Sequence, residues 1–286
     1  MVDISVVVCS RETELLKNLQ ENIKATIGCR HEIISVDNKE NQYSIFEAYN
    51  LGIQKSKFEI ICFLHEDIQI HTRNWGKIIH RLFVEHKEAG IIGLAGSKVK
   101  SNVPAGWWEH ERRFLVKNLI QHRPNGVKEH IELGFEAGDL QEAVIVDGVF
   151  ISMKKKKGVC FNEMLEGFHN YDQSICLDYI KKGHKVFVTN QVLIEHFSNG
   201  RIDGTWVNSM HKFHRLYKND LPKVVSGTAI DKVQREKYLI NYIIHCKSTG
   251  NQKLAFLYWL KLLKQNPLSK KHKFLLSDFW RYFITK

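Results

Sequence analysis

The chain has no C-x-x-C pair, no glycine in the turn after its first apolar run, and no apolar stretch near the roughly 20 residues that a membrane span requires. Its six cysteines are scattered, and Cys9, Cys62 and Cys176 lie inside apolar patterns. A disulfide framework is excluded, and the expectation is buried thiols in a reducing cytosol. Met1-Val2-Asp3-Ile4 lacks a basic leader and opens a strand almost at once, so neither secretion nor bilayer crossing is expected. Acid is scarce at one end. From Cys246 to Lys286 eight Lys and one Arg face the single acid Asp278, a net +8 out of +11 for all 286 residues.

What is present is an alternation of strand-like and helix-like stretches. Ile4 to Cys9 is a β-branched run, Glu12 to Ile27 has apolar residues at helical spacing, and Glu32 to Val36 is a second strand ending at Asp37. A helix over Tyr43 to Lys55 delivers the chain to the apolar run Ile60-Ile61-Cys62-Phe63-Leu64. Such alternation implies right-handed crossovers, a parallel sheet, and ligands at the carboxyl ends of its strands. Further on, the patterns predict a helix over Trp75 to His86, a strand over Ile91 to Ala95, a strand over Ala143 to Met153 broken at Gly148, and a helix over Asp172 to Lys182. A strand at Lys185 to Val188 and a helix over Thr205 to Tyr217 follow, while Gly96 to Ala137 has no regular pattern. With 43% hydrophobic residues the chain can bury one large α/β core without disulfides. From about Ser226 the character changes to helices at Asp231 to Cys246, Gln252 to Lys264 and Phe274 to Tyr282. Two units are expected, residues 1–225 and a basic helical extension over 226–286.

The apolar run stops abruptly at His65-Glu66-Asp67. Carboxylates at a strand end can hold Mg²⁺ or Mn²⁺ together with phosphate oxygens, although a solvated loop carries the same residues. Asp37, at the end of the second strand, can accept hydrogen bonds from a nucleotide base or ribose. Dinucleotide oxidoreductases and sugar-phosphate nucleotidyltransferases favour a Gly-rich turn after the first strand, and Cys9-Ser10-Arg11-Glu12 offers none.

Four blocks carry a resemblance: Ser5-Val6-Val7-Val8-Cys9-Ser10; Ala48-Tyr49-Asn50-Leu51-Gly52-Ile53 leading into His65-Glu66-Asp67; Val146-Asp147-Gly148-Val149-Phe150; and Gly167-Phe168-His169-Asn170-Tyr171-Asp172. Over Ile4 to Arg201 the chain resembles glycosyltransferase family 2, enzymes of the GT-A fold, and within it the streptomycin-biosynthesis-type branch. The resemblance implies a Rossmann-like, mixed and mainly parallel sheet flanked by helices. It also implies a metal-dependent, inverting transfer from a nucleotide diphosphate sugar, UDP-linked by family habit, to a hydroxyl of a glycan or lipid-linked acceptor.

By that resemblance the acidic turn usually written D-x-D is His65-Glu66-Asp67, with Asp67 a direct metal ligand, Glu66 a helper, and His65 where the family often has an acid. A histidine leans the choice of metal from Mg²⁺ toward Mn²⁺. His196 resembles a family histidine near metal or diphosphate, and Ser198, Asn199, Gly200 and Arg201 a mobile loop able to contact phosphate. Cys9, Ser10, Arg11, Asp37, Asn50, His65, Glu66, Asp147 and Gly148 fall where the family holds its donor. Asp172 matches the catalytic base, with Tyr171 in place of the acid that usually precedes it; Asp at a helix start is also a plain N-cap. Trp107 and Trp108 offer faces for an acceptor sugar, or cap the core. Lys154-Lys155-Lys156-Lys157 reads as a solvated turn.

The basic extension, with Tyr258 and Trp259 among lysines, suits peripheral contact with an anionic membrane, or packing on its own domain. A nucleic-acid binder would account for the charge but not for acids at several strand ends, so no nucleic acid is expected. A non-catalytic relative of the same fold is the other alternative. The expectation is a cytoplasmic enzyme of polysaccharide biosynthesis, peripheral at the inner face of the membrane.

Overall fold

Three parallel strands with two crossover helices form the first 64 residues: β1 (Asp3–Ser10), α1 (Thr13–Thr26), β2 (Arg30–Asp37), α2 (Ile45–Lys55) and β3 (Ile60–Leu64). The computed structural model describes residues 2–123, 126–198, 200–273 and 275. All five residues of β3 are buried, because helices cover both faces of the sheet and leave no side for polar alternation. α2 begins with a reciprocal cap, Ser44 accepting from the Glu47 backbone while Glu47 accepts from that of Ser44. Gly52 lets this helix lie against β1, since a Cβ there would stand 2.3 Å from a Val7 methyl.

The chain then forms β4 (Ile68–Ile70), α3 (Trp75–Glu85), β5 (Ala89–Gly93), β6 (Ala95–Ser97), β7 (Val99–Lys100), β8 (Leu115–His122), β9 (Lys128–Leu133), β10 (Leu140–Ala143), β11 (Ile145–Val146) and β12 (Phe150–Lys154). α4 (Tyr171–Lys181), β13 (Lys185–Thr189), β14 (Ile194–His196), α5 (Gly204–Leu216) and β15 (Lys223–Val224) precede the helical pair α6 (Lys232–Ser248) and α7 (Gln252–Gln265). The main sheet has the order β10-β13-β5-β12-β3-β1-β2. Only β12 and β10 run against the other five strands, which is the mixed, mainly parallel α/β sheet expected.

Two expected strands are broken. Ile91 to Ala95 divides at Leu94 into β5 and β6, and Ala143 to Met153 divides into β11 and β12 around Asp147-Gly148-Val149. At both places the chain leaves the main sheet for a second one, β11-β6-β8-β14-β4 with β9 on β8, and a strand cannot serve two sheets without a bend. The stretch without a regular pattern supplies β8 and β9, the antiparallel pair at the heart of this second sheet. Its consequence is positional: β14 lies between β8 and β4, with His196 opposite Ile68.

The helical pair docks on the rest through side chains. Tyr242 donates to the Val207 carbonyl at 2.7 Å, and His245 meets Glu109 at 3.0 Å. The helix expected at Phe274 to Tyr282 falls almost wholly outside the described residues. Among the described residues no helix is long and apolar enough to cross a membrane. All six cysteines are free, but Cys160 is exposed, because it sits in the open loop after β12 rather than in a packed element. The lysine run is not simply solvated: Lys154 and Lys155 donate to the Phe83 and Ser56 carbonyls, where cations suit the ends of α3 and α2.

Candidate active site

β3 ends at a wall of acids and imidazoles. Asp67 lies between two histidines, its Oδ1 3.8 Å from His65 Nδ1 and its Oδ2 3.6 Å from His196 Nε2. One ligand atom from each of His65, Asp67 and His196 falls within 4.8 Å of the others, a spacing that fits one divalent ion. Each ring is also held from behind. His65 Nε2 meets the Tyr171 hydroxyl at 2.7 Å, and His196 Nδ1 meets Gln121 Oε1 at 3.2 Å. Two imidazoles and one carboxylate suit Mn²⁺ and later transition ions better than Mg²⁺. Burial by itself would raise the Asp67 carboxyl, but His196, Ser198 and His65 outweigh it and hold it well below the usual carboxylate range. Burial pushes His65 the other way, lowering it, and His196 adds to that.

Across from this group stands the start of α4. Asp172 is half-buried, and burial followed by repulsion from Asp147 raises its carboxyl to about 7, against backbone hydrogen bonds from Gln173 and Gly148 and the charge of Lys100. A carboxylate poised near 7 is matched to general-base work at neutral pH. Asp147 is held by Trp107, whose indole Nε1 donates to Oδ2 at 2.8 Å, and by the Val149 N–H on Oδ1. Gly148 is dictated by its neighbour: a Cβ there would stand 1.9 Å from the Tyr171 hydroxyl oxygen.

A glycosyltransferase-like family model matches residues 5–226. The chain belongs to this family. The matched residues span the mixed α/β sheet and its flanking helices, and the helical pair α6 and α7 follows them. The chain is also similar to a solved structure of GalNAc-T7 with UDP, GalNAc and Mn²⁺, at 9% identity and a TM-score of 0.49, over 85% of this chain and 54% of that one. It thus spans about half the length of that protein. No curated protein sequence matches it.

Several residues expected at a glycosyltransferase donor site are engaged elsewhere. The Glu66 carboxylate turns away from His65, Asp67 and His196 and accepts from the backbone N–H groups of Arg11 and Glu12, at 3.1–3.2 Å. It thereby fixes the turn that leads into α1, whose N-cap residue Glu12 makes no side-chain cap. Asn50 is buried on α2 and clamps the loop after β12, donating to the Phe161 carbonyl and Glu163 and accepting from the Phe161 N–H. With both ends of its amide engaged, it is tied to packing rather than to the strand-end crevice. Trp107 is 6% exposed, its ring in the core and its N–H on Asp147, so it presents no face to an acceptor. Trp108 is 44% exposed and leans on Trp206, leaving a face open.

At the end of β1, Ser10 is buried, Cys9 is half-buried beside Asn38, and Arg11 is exposed with its guanidinium over Phe168. Asp37 pairs with Ser10 in the sheet register and is exposed. Asn199 lies outside the described residues; Ser198 Oγ is 3.4 Å from His196 Nε2.

Three contributors escaped the reading of the sequence. Gln121 orients His196 and also donates to the Ser198 carbonyl at 2.7 Å, from a strand that had no periodicity to announce it. Lys100 is fully buried, donating to the Ala105 carbonyl at 2.7 Å, and burial lowers its ammonium to about 7. Glu195 is buried on the face of β14 opposite His196, in contact with His71, His122 and Lys128 at 2.7–2.8 Å. Burial would raise its carboxyl, but His122, Lys128 and His71 bring it down to about 2. The only sequence signal for this cluster was the neighbour His196.

Proposed function

We propose that the chain transfers a sugar with inversion from a nucleotide diphosphate sugar, with UDP as the nucleotide, to a hydroxyl of a glycan or lipid-linked acceptor. The observation that carries this reading is a single connection. The ligand-rich end of β3 and the poised carboxylate on α4 meet through the 2.7 Å contact of His65 with Tyr171, the residue before Asp172.

His65, Asp67 and His196 would hold a divalent ion, Mn²⁺ ahead of Mg²⁺. When bound, that ion offsets the negative charge of the diphosphate leaving group. Asp172 accepts the proton of the attacking hydroxyl; its raised pKa makes it a stronger base than a solvated carboxylate, and it is ionised above about pH 7. Asp147 keeps that pKa high by repulsion, while Trp107 holds Asp147 in place. Ser10, Arg11 and Asp37, at the ends of β1 and β2, are assigned to the nucleotide. Trp108 is assigned to the acceptor. The four sequence blocks favour the streptomycin-biosynthesis-type branch.

The division into residues 1–225 and 226–286 belongs to this proposal, as does a cytoplasmic site at the membrane's inner face. Leu257 and Leu260 stand outward on α7 beside Lys253 and Lys264, a surface suited to anionic lipid. Liposome flotation of the full chain against one ending near Val225 checks that contact, and equal flotation removes it. The transfer itself is tested by Asp172→Asn: turnover of nucleotide sugars should vanish while Mn²⁺-dependent donor binding, read by thermal shift, persists. Undiminished turnover in that variant refutes the assignment.

A further inference from the structure

We propose that Tyr171 is the positioning residue that fixes which nitrogen of His65 faces Asp67, and through this the preference of the site for manganese over magnesium. The inference deepens the proposed function, since it takes His65, Asp67 and His196 as the ion-binding group. Its ground is that the Tyr171 hydroxyl reaches the far nitrogen of a candidate ion ligand, His65 Nε2, at 2.7 Å across 106 residues of sequence.

The Tyr171 ring has no room to move. It is 5% exposed, meets Phe46 and Tyr49 edge-on at centroid distances of 6.3 and 5.5 Å, and tilts against Phe161 at 6.2 Å. Its hydroxyl passes over Gly148, the one residue type that leaves it space. The backbone below is anchored as well. Asn170 takes a left-handed φ of 65° and donates to Ser209 Oγ at 2.8 Å.

A histidine ring offers an ion one nitrogen at a time, and the hydrogen bond on the other decides which. With Nε2 engaged by Tyr171, only Nδ1 of His65 is turned toward Asp67, at 3.8 Å. His196 is the mirror case, with Nδ1 on Gln121 and Nε2 toward Asp67. For Nδ1 to keep the lone pair an ion needs, Nε2 must carry the hydrogen and donate it to the Tyr171 oxygen, and this is the tautomer the contact is inferred to select. Without the hydroxyl, χ2 of His65 has two broad wells and either nitrogen can face the ion. Loss of such an orienting partner lowers metal affinity by about 10- to 100-fold. Magnesium, which depends on oxygen ligands and water, should lose less.

The experiment uses the full chain without donor. Mn²⁺ binding is read by electron paramagnetic resonance and Mg²⁺ by competition, for wild type, Tyr171→Phe, His65→Asp and the double variant. Tyr171→Phe should weaken Mn²⁺ about 10- to 100-fold in the wild type and leave the His65→Asp background unchanged. Equal weakening in both backgrounds overturns the inference, because Tyr171 would then act through the fold, and so does an unaltered Mn²⁺ affinity. Nitrogen-15 spectra of metal-free protein read the His65 tautomer directly. Nε2–H in the wild type and a mixture in Tyr171→Phe uphold the assignment, and Nδ1–H in the wild type overturns it. A wild type that binds neither ion refutes the metal-site reading and with it the manganese preference, while the tautomer still decides the role of Tyr171.

Discussion

Replacing Asp172 by Asn separates what this carboxylate does for the reaction from what it does to the fold. Its pKa rises from 3.8 to about 7 on folding, roughly three units, and each unit corresponds to about 1.4 kcal/mol, so the ionised form costs the native state about 4 kcal/mol. The sign follows from proton binding. Between pH 3.8 and 7 the folded chain keeps a proton that the unfolded chain releases, so wild-type stability declines through that window and levels off above it. Asparagine has no such proton, and its amide oxygen can still accept from Gly148 or Gln173. Its NH₂ group needs a partner that the carboxylate did not, which reduces the gain to about 2–3 kcal/mol. At about 2–4 °C per kcal/mol, the variant should melt roughly 5–10 °C above wild type at pH 8.5 and a few degrees below it near pH 4, where wild type is protonated and the amide's cost stands alone. Thermal melts at half-unit steps from pH 4 to 9 check this. Parallel curves, or a variant that melts lower at pH 8.5, would refute the claim that Asp172 is held ionised against its environment.

Asp147→Asn should move the acid limb of the transfer pH profile to lower pH, because the repulsion that raises Asp172 disappears; an unmoved limb rejects that coupling. Gly148→Ala should cost about 1–3 kcal/mol and disturb the His65 contact, since its methyl would fall 1.9 Å from the Tyr171 hydroxyl oxygen; chemical denaturation and Mn²⁺ titration report the two effects. Gln121→Ala should weaken Mn²⁺ about 10- to 100-fold by releasing His196, with little change in melting temperature. Glu195→Gln should flatten the loss of stability that wild type undergoes as pH falls from 4.5 to about 2, because the depressed carboxyl stabilises the fold only while ionised; an unaltered acid limb would exclude it.

Most of the sheet was legible in the chain. β1, β3, α2 and α4 lie within a residue or two of their expected bounds, since each is announced by a local pattern: a β-branched run, a cap, or apolar residues at a fixed period. The misses have a common form. Ile91 to Ala95 and Ala143 to Met153 look continuous because apolarity persists through the bend, and only the second sheet explains why they break. Glu66 looked like a helper of Asp67 because it is adjacent in sequence, yet its carboxylate reaches back 54–55 residues to the start of α1.

The sequence by itself determined the opening alternation from β1 to β3, the acids at strand ends, and the family to which the chain belongs, because these depend on spacings of a few residues. Tertiary structure alone decided which of those residues share a site. His65 with Tyr171, Trp107 with Asp147, and Gln121 with His196 are contacts across 106, 40 and 75 residues, made where two sheets meet. Local periodicity carries no information at that range. Only packing brings such groups within the few ångströms at which hydrogen bonds form and charges shift one another's pKa.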